Sequence, residues 1–155
     1  DLVNAITPHM DRPCALIAQS MGGVVAVLAA LQRPEYLTHL VLVATSGGVP
    51  IDDLRPHDWR PDFMRSNPAF PAWMARERWN LAPQLASVRA PTLLLWGDAD
   101  AISPVAVGER LQGLSITPQG RRIQSHLLAD KSVDLFGGGG HTVLETPLDE
   151  IVEPE

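Results

Sequence analysis

One run constrains the fold more than any other: Cys14-Ala15-Leu16-Ile17-Ala18-Gln19-Ser20-Met21-Gly22-Gly23, followed by an apolar, alanine-rich segment from Val24 to Leu31. Five apolar residues read as a strand, the polar pair and two glycines as a sharp turn, and the alanine-rich stretch as a helix. Such a turn lifts one side chain clear of the sheet. It sets the Ser20 hydroxyl at a helix N-terminus, where free N–H groups point outward. Ala18 and Gly22 are small, as a tight turn requires when bulkier side chains would collide. The plainer reading is a helix whose N-cap residue is a serine.

The remaining chain alternates strands with helices or long connections, which is the α/β pattern. Residues 1–10 have helical spacing (Leu2, Ala5, Ile6, Met10), with Pro8 ending or kinking the helix. The strand at 14–18 leads through the turn into a helix from about Met21 to Gln32. That helix is apolar nearly all round and so should be buried on most sides. Thr38 to Thr45 reads as a second strand, apolar on both faces like a central parallel strand. Pro91 to Gly97 reads as a third, followed by a helix from about Pro104 to Gln112 with proline in its first turn. Ser125 to Ala129 reads as helical, Ser132 to Phe136 as a fourth short strand, and Asp149 to Val152 as a short helix.

Between the second and third strands the composition changes. Residues 49–90 hold six prolines and three of the four tryptophans, Trp59, Trp73 and Trp79, with Phe63 and Phe70. A short helix fits Ala72–Trp79. So long an excursion is a lid or cap-like insertion rather than a simple connector. Its aromatics either pack the excursion onto the body or face a substrate, and one ring can do both.

At 155 residues, 45% of them hydrophobic, the chain is expected to form one domain over 1–155. The net charge of −6 argues against nucleic acid or an anionic membrane as partner. The single cysteine, Cys14, sits in an apolar strand and reads as a buried core thiol. No Cys/His spacing suits a metal, and no cofactor motif is present, since the glycine run 137–140 lacks the lysine of a phosphate-binding loop. With no basic n-region before an apolar core, the expected location is cytoplasmic.

Three chemistry-bearing residues follow strands or glycine loops in the order Ser20, Asp100 (or Asp98), His141. In an open parallel sheet the carboxyl edge of the strands is where sites form. A serine hydroxyl is a weak nucleophile at neutral pH. It needs a base within hydrogen-bond reach, and the base needs a partner that holds its tautomer. His9, His39, His57 and His126 lack a comparable context.

The Ala18-Gln19-Ser20-Met21-Gly22 run resembles the nucleophile elbow of the α/β-hydrolases in its alanine form. Pro91 to Pro104, with Gly97-Asp98-Ala99-Asp100 inside it, resembles that family's acid-bearing strand and loop. Gly139-Gly140-His141, with Glu145 and Pro147 after it, resembles the histidine loop. The resemblance covers nearly the whole chain but only the later half of the fold: a partial α/β-hydrolase with about four mostly parallel strands, flanking helices and a short Pro/Trp-rich lid. It implies a serine hydrolase acting on small or medium apolar esters or related acyl or C–C bonds. Ser20 would be the nucleophile, His141 the base, Asp100 the acid, and the Met21 N–H an oxyanion donor. Asp98, and more remotely Asp52 and Asp53, are the alternative acids, and Trp59, Phe63, Phe70, Trp73 and Trp79 would meet the substrate. The loop that gives the family its second oxyanion donor has no counterpart here. The strand at 14–18 would then have an open edge, to be covered by a second copy or a complementary chain. The alternative is a non-catalytic half-domain that associates through that edge.

Overall fold

The structure, a computed structural model, describes residues 2–115 and 123–128. Among these residues, four parallel strands form one sheet in the order β1-β2-β3-β4: Cys14–Gln19, Leu37–Val43, Thr92–Gly97 and Ile123–Leu128. Spatial order follows chain order. The connections are α2 (Met21–Gln32) between β1 and β2, the long excursion between β2 and β3, and α6 (Val105–Ser115) between β3 and β4. The first residues form α1 (Leu2–Ile6) and then a 3-10 turn, Thr7–His9, where Pro8 interrupts the α-helical bonding.

The continuous apolar runs of β2 and β3 bury side chains on both faces of the sheet. Leu40, Leu42, Leu94 and Trp96 join Val24, Val27, Val107 and Leu111 from α2 and α6 on one face, while Val43, Ala44, Leu93 and Leu95 cluster on the other. Period-two alternation through the adjacent apolar runs Leu40–Val43 and Leu93–Trp96 produces two cores from one sheet. The helix α2 is buried along most of its circumference, with Val27 and Ala29 fully inaccessible.

Three expectations need correction or adjustment. The stretch expected to be helical over Ser125 to Ala129 is strand as far as it is described: Ile123–Leu128 is the fourth strand, paired in register with β3 from Thr92↔Ile123 to Gly97↔Leu128. Pairing with an exposed, unfilled side of β3 outweighs a weak local helical preference. Cys14 is half-buried rather than buried, because β1 is an edge strand. No strand among the described residues pairs with the free side of β1, where Ile17 is 44% exposed. The expected strand at 132–136, the glycine run and His141 lie outside the described residues, as does the helix at 149–152.

Residues 49–90 hold a 3-10 turn, Asp52–Leu54, and three short helices: α3 (Arg60–Ser66), α4 (Ala72–Arg76) and α5 (Ala82–Leu85). The helix expected over 72–79 therefore ends three residues early. The excursion leaves at Gly48 and returns to it, where the Leu81 N–H donates to the Gly48 carbonyl at 2.9 Å. Gly48 has φ +85°, and a Cβ there would lie 2.6 Å from Leu81 Cδ1, so this closure requires glycine.

Candidate active site

The turn after β1 is built around a backbone conformation that a non-glycine residue rarely adopts. Ser20 has φ 52° and ψ −126°, the conformation of the first central residue in a type II′ turn. Holding such geometry costs on the order of 1–3 kcal/mol and persists only where the surroundings enforce it. Here they do so through four bonds. The Ser20 N–H donates to the Val43 carbonyl at 3.0 Å, so the turn stays locked to the end of β2. The Ser20 carbonyl accepts from the Gly23 N–H at 3.0 Å and from the Thr45 hydroxyl. Thr45, only 2% exposed, is itself oriented by the Gly47 N–H, which donates to its Oγ1 at 3.1 Å. The Ser20 side chain makes no capping bond to α2, and the residue is solvent-exposed. It is thus an apex residue rather than an ordinary N-cap. Next to it, the Met21 N–H is one of the helix N-terminal donors that have no acceptor within the helix.

The glycines of the turn divide their work differently from the sequence expectation. A Cβ added at Gly22 would meet only Ala18 Cβ at 3.9 Å, an ordinary contact. At Gly23 it would lie 2.4 Å from both Thr45 Oγ1 and Cγ2 and 2.7 Å from Thr45 Cβ. The close approach that demands glycine is therefore between the first turn of α2 and Thr45, one position beyond the motif glycine.

Ser20 and Met21 open into a cleft of about 530 Å³. Its walls include Val24, Val25 and Leu28 of α2, Thr45, Ser46 and Gly48 to Ile51 after β2, and Trp59, Trp73 and Trp79 of the excursion. The wall is mostly apolar, with Asp52, Arg60, Glu77 and Arg78 as its charged members. At the end of β3, Asp100 Oδ1 accepts from the Ile102 N–H at 2.9 Å and the Ser103 N–H at 2.8 Å. These two bonds form a loop-capping turn, in which a short carboxylate accepts from backbone N–H groups two and three residues on. Trp96, buried at 3% exposure, anchors the same loop by donating its Nε1–H to the Ser103 carbonyl at 2.8 Å. Ile102 and Ser103 line the cleft, and Asp100 holds their backbone N–H groups. Since β2 separates β1 from β3 in a parallel sheet, the Ser20 and Asp100 turns both follow strand carboxyl ends and so lie at the same sheet edge.

The family model described as "Serine aminopeptidase, S33" matches residues 1–77. A curated relative, the uncharacterized hydrolase YugF of Bacillus subtilis (strain 168), is 26% identical over 71% of this chain and 57% of its own length. The solved structure of MGS-MChE2, an α/β-hydrolase enzyme from the metagenome of sediments of the Mar Chica lagoon, Morocco, superimposes with a TM-score of 0.57 at 25% identity. That match covers 84% of this chain and 57% of the other. MenH from S. aureus superimposes with a TM-score of 0.56 at 21% identity, over 84% of this chain and 65% of that one. The chain has the α/β-hydrolase fold. It spans little more than half the length of the first relatives it matches.

Within this α/β-hydrolase chain the expected aromatics separate into two groups. Trp59, Trp73 and Trp79 line the cleft. Phe63 and Phe70 do not; they build the excursion's own core, with Phe63 edge-on to Trp59 at 5.3 Å and edge-on to Phe70 at 4.7 Å between ring centroids. Their spacing along α3 and the following turn orients them toward one another, so they pack behind Trp59. Of the alternative acids, Asp52 lines the cleft. Asp53 is held by Arg110 of α6 in a two-pronged ion pair with contacts of 2.7 and 2.6 Å. Arg110 also donates to the Pro50 carbonyl at 2.7 Å. The hydrogen bond from Arg110 holds the Asp53 carboxyl below its ordinary range, and the same bond raises the Arg110 pKa. Asp58, likewise, is held below the ordinary range by its hydrogen bond from Arg60. Among the described residues no three or more His, Cys, Asp or Glu side chains gather closely enough to hold a metal ion. No helix among them is long and apolar enough to cross a membrane. Thr45 and Arg110 are the positioning residues that sequence reasoning missed: both act through tertiary partners far along the chain, and neither sits in a recognisable motif.

Proposed function

We propose that this chain is a serine hydrolase of carboxylic esters or related acyl or C–C bonds in small to medium apolar substrates. The observation that carries the reading is the apex geometry of Ser20, an exposed serine held at φ 52° over an apolar cleft. In the proposed reaction Ser20 Oγ attacks the carbonyl carbon while His141 accepts its proton. The Met21 N–H donates to the developing oxyanion, and His141 returns the proton to the leaving group. Asp100 orients the imidazole. Water then repeats the sequence on the acyl-enzyme. The fold does not choose among esters, lactones, thioesters or peptides.

The test is covalent labelling. The 155-residue chain is treated with a fluorophosphonate and its intact mass measured, in parallel with turnover of p-nitrophenyl acetate. One adduct, absent in Ser20→Ala, is expected. No adduct and no turnover would sink the proposal for this chain by itself.

Among the described residues β1 has an unpaired side and Ile17 on its face is 44% exposed, which favours a second reading: a half-domain that associates through that strand. A size-exclusion mass of a dimer that reverts to monomer on Ile17→Lys would support it. A monomer at all concentrations would count against self-association.

A further inference from the structure

The whole-chain charge of −6 conceals a local reversal. From Arg55 to Arg89 the excursion carries six arginines against three carboxylates, a net charge of +3. Two of those carboxylates, Asp58 and Asp62, are already paired with Arg60 and Arg65. Of the two aspartates just before this stretch, Asp53 is neutralised by Arg110, and Asp52 lines the cleft. Arg76 and Arg78 flank Glu77 at the end of α4. Arg78 is fixed there by donating to the carbonyls of Ala75, Arg76 and Glu77 at 3.1–3.4 Å.

The same surface carries the two most exposed tryptophans of the described residues. Trp73 is 48% exposed and Trp79 42% exposed, and both stand on the rim of the cleft beside Arg78. An indole half out of the protein, next to the fixed guanidinium of Arg78, has the chemistry of the boundary between water and lipid: an apolar ring with a polar N–H, and a cation for anionic headgroups. The acidic remainder of the chain does not cancel this attraction, because charges more than about 8 Å apart are largely screened at physiological salt.

We propose that the face of the excursion carrying Trp73, Trp79, Arg76 and Arg78 docks on an anionic lipid surface, with the mouth of the cleft turned toward the lipid. An amphipathic molecule leaving that surface would then pass between the tryptophans toward Ser20. Docking itself needs no turnover, so it stands apart from the hydrolase reading.

The experiment is vesicle flotation of the full chain on phosphatidylcholine containing about one-third phosphatidylglycerol, and on pure phosphatidylcholine, with indole emission recorded alongside. Binding to the anionic vesicles, weakened by added salt, with a blue shift of emission, is expected. Arg76→Gln/Arg78→Gln should bind about thirtyfold more weakly, and Trp73→Ser/Trp79→Ser should lose the emission shift. Arg33→Gln, on the exposed body of the protein, should bind as the unaltered chain does. So should Ser20→Ala, which separates failed docking from failed catalysis. Absence of binding, equal binding to both vesicle types, or unchanged binding of Arg76→Gln/Arg78→Gln would overturn the proposal.

Discussion

Two adjacent glycines allow the description of the turn to be tested by one chemical change made twice. Gly22→Ala and Gly23→Ala each add a single methyl group in the first turn of α2, and each gains from the better helix propensity of alanine, at most about 1 kcal/mol and less near a helix end. At Gly22 nothing opposes the gain, because the nearest atom, Ala18 Cβ, is 3.9 Å from the added carbon. This variant should be more stable by about 0.5 kcal/mol, a rise in Tm of about 1–2 °C. At Gly23 the added carbon falls 2.4 Å from Thr45 Oγ1 and Cγ2. Thr45 cannot swing aside without giving up its bond to the Ser20 carbonyl and releasing the Gly47 N–H. Overpacking of this kind costs about 1–3 kcal/mol, and the severity of the overlap argues for the upper end. After the propensity gain, a net destabilisation of about 1–2 kcal/mol remains, a fall in Tm of about 3–8 °C. Because the overlap pushes the N-terminus of α2 away from the turn, fluorophosphonate labelling of Ser20 should slow in Gly23→Ala and stay unchanged in Gly22→Ala. The assay is thermal and urea unfolding of both variants beside the labelling rate. Equal stabilities, or a Gly23→Ala chain as stable as the parent, would refute the close approach on which the account of the turn rests.

Other consequences are open to measurement. Thr45→Val keeps the shape but strands the buried Gly47 N–H and removes one of two donors to the Ser20 carbonyl. It should cost about 2–4 kcal/mol in urea unfolding, and Thr45→Ser should restore most of that loss. Ser20→Gly should be more stable than Ser20→Ala by about 1 kcal/mol, since only glycine adopts positive φ without strain, while both lose labelling. The Asp53 pKa is depressed in the folded chain, so the Arg110 pairing stabilises the fold above the unfolded carboxyl pKa and loses its effect as pH falls through the lower folded value. Arg110→Gln should therefore lower the urea midpoint at pH about 6, with the difference shrinking below pH about 4. An unchanged difference across that window would show that the pair contributes nothing to stability.

Much of the fold is legible because it follows from local pattern. The five apolar residues before Ser20 and the alanine-rich stretch after Gly23 require a strand, a sharp turn and a helix in that order. The apolar runs at 38–45 and 91–97 can satisfy every position only in strands covered on both faces. The superfamily resemblance, too, was already carried by short runs at Ser20 and Asp100. Other features depend on contacts between residues far apart in sequence. Residues 123–128 form a strand because β3 offers an unpaired side, not because Ser125 to Leu128 prefer extended backbone. Phe63 and Phe70 are like the tryptophans in composition, yet they turn toward each other and away from the cleft, a matter of side-chain direction on short helices.

Sequence alone determined that a serine stands at a strand-to-helix turn, since chain stiffness, residue size and hydrophobic period act over a few neighbours. Tertiary structure alone decided how that turn is held: the Thr45 hydroxyl on the Ser20 carbonyl, Val43 on its N–H, and Gly23 rather than Gly22 as the glycine that cannot be replaced. Those contacts join residues more than twenty positions apart, brought together only when β2 pairs with β1, and no local pattern encodes the distance between them.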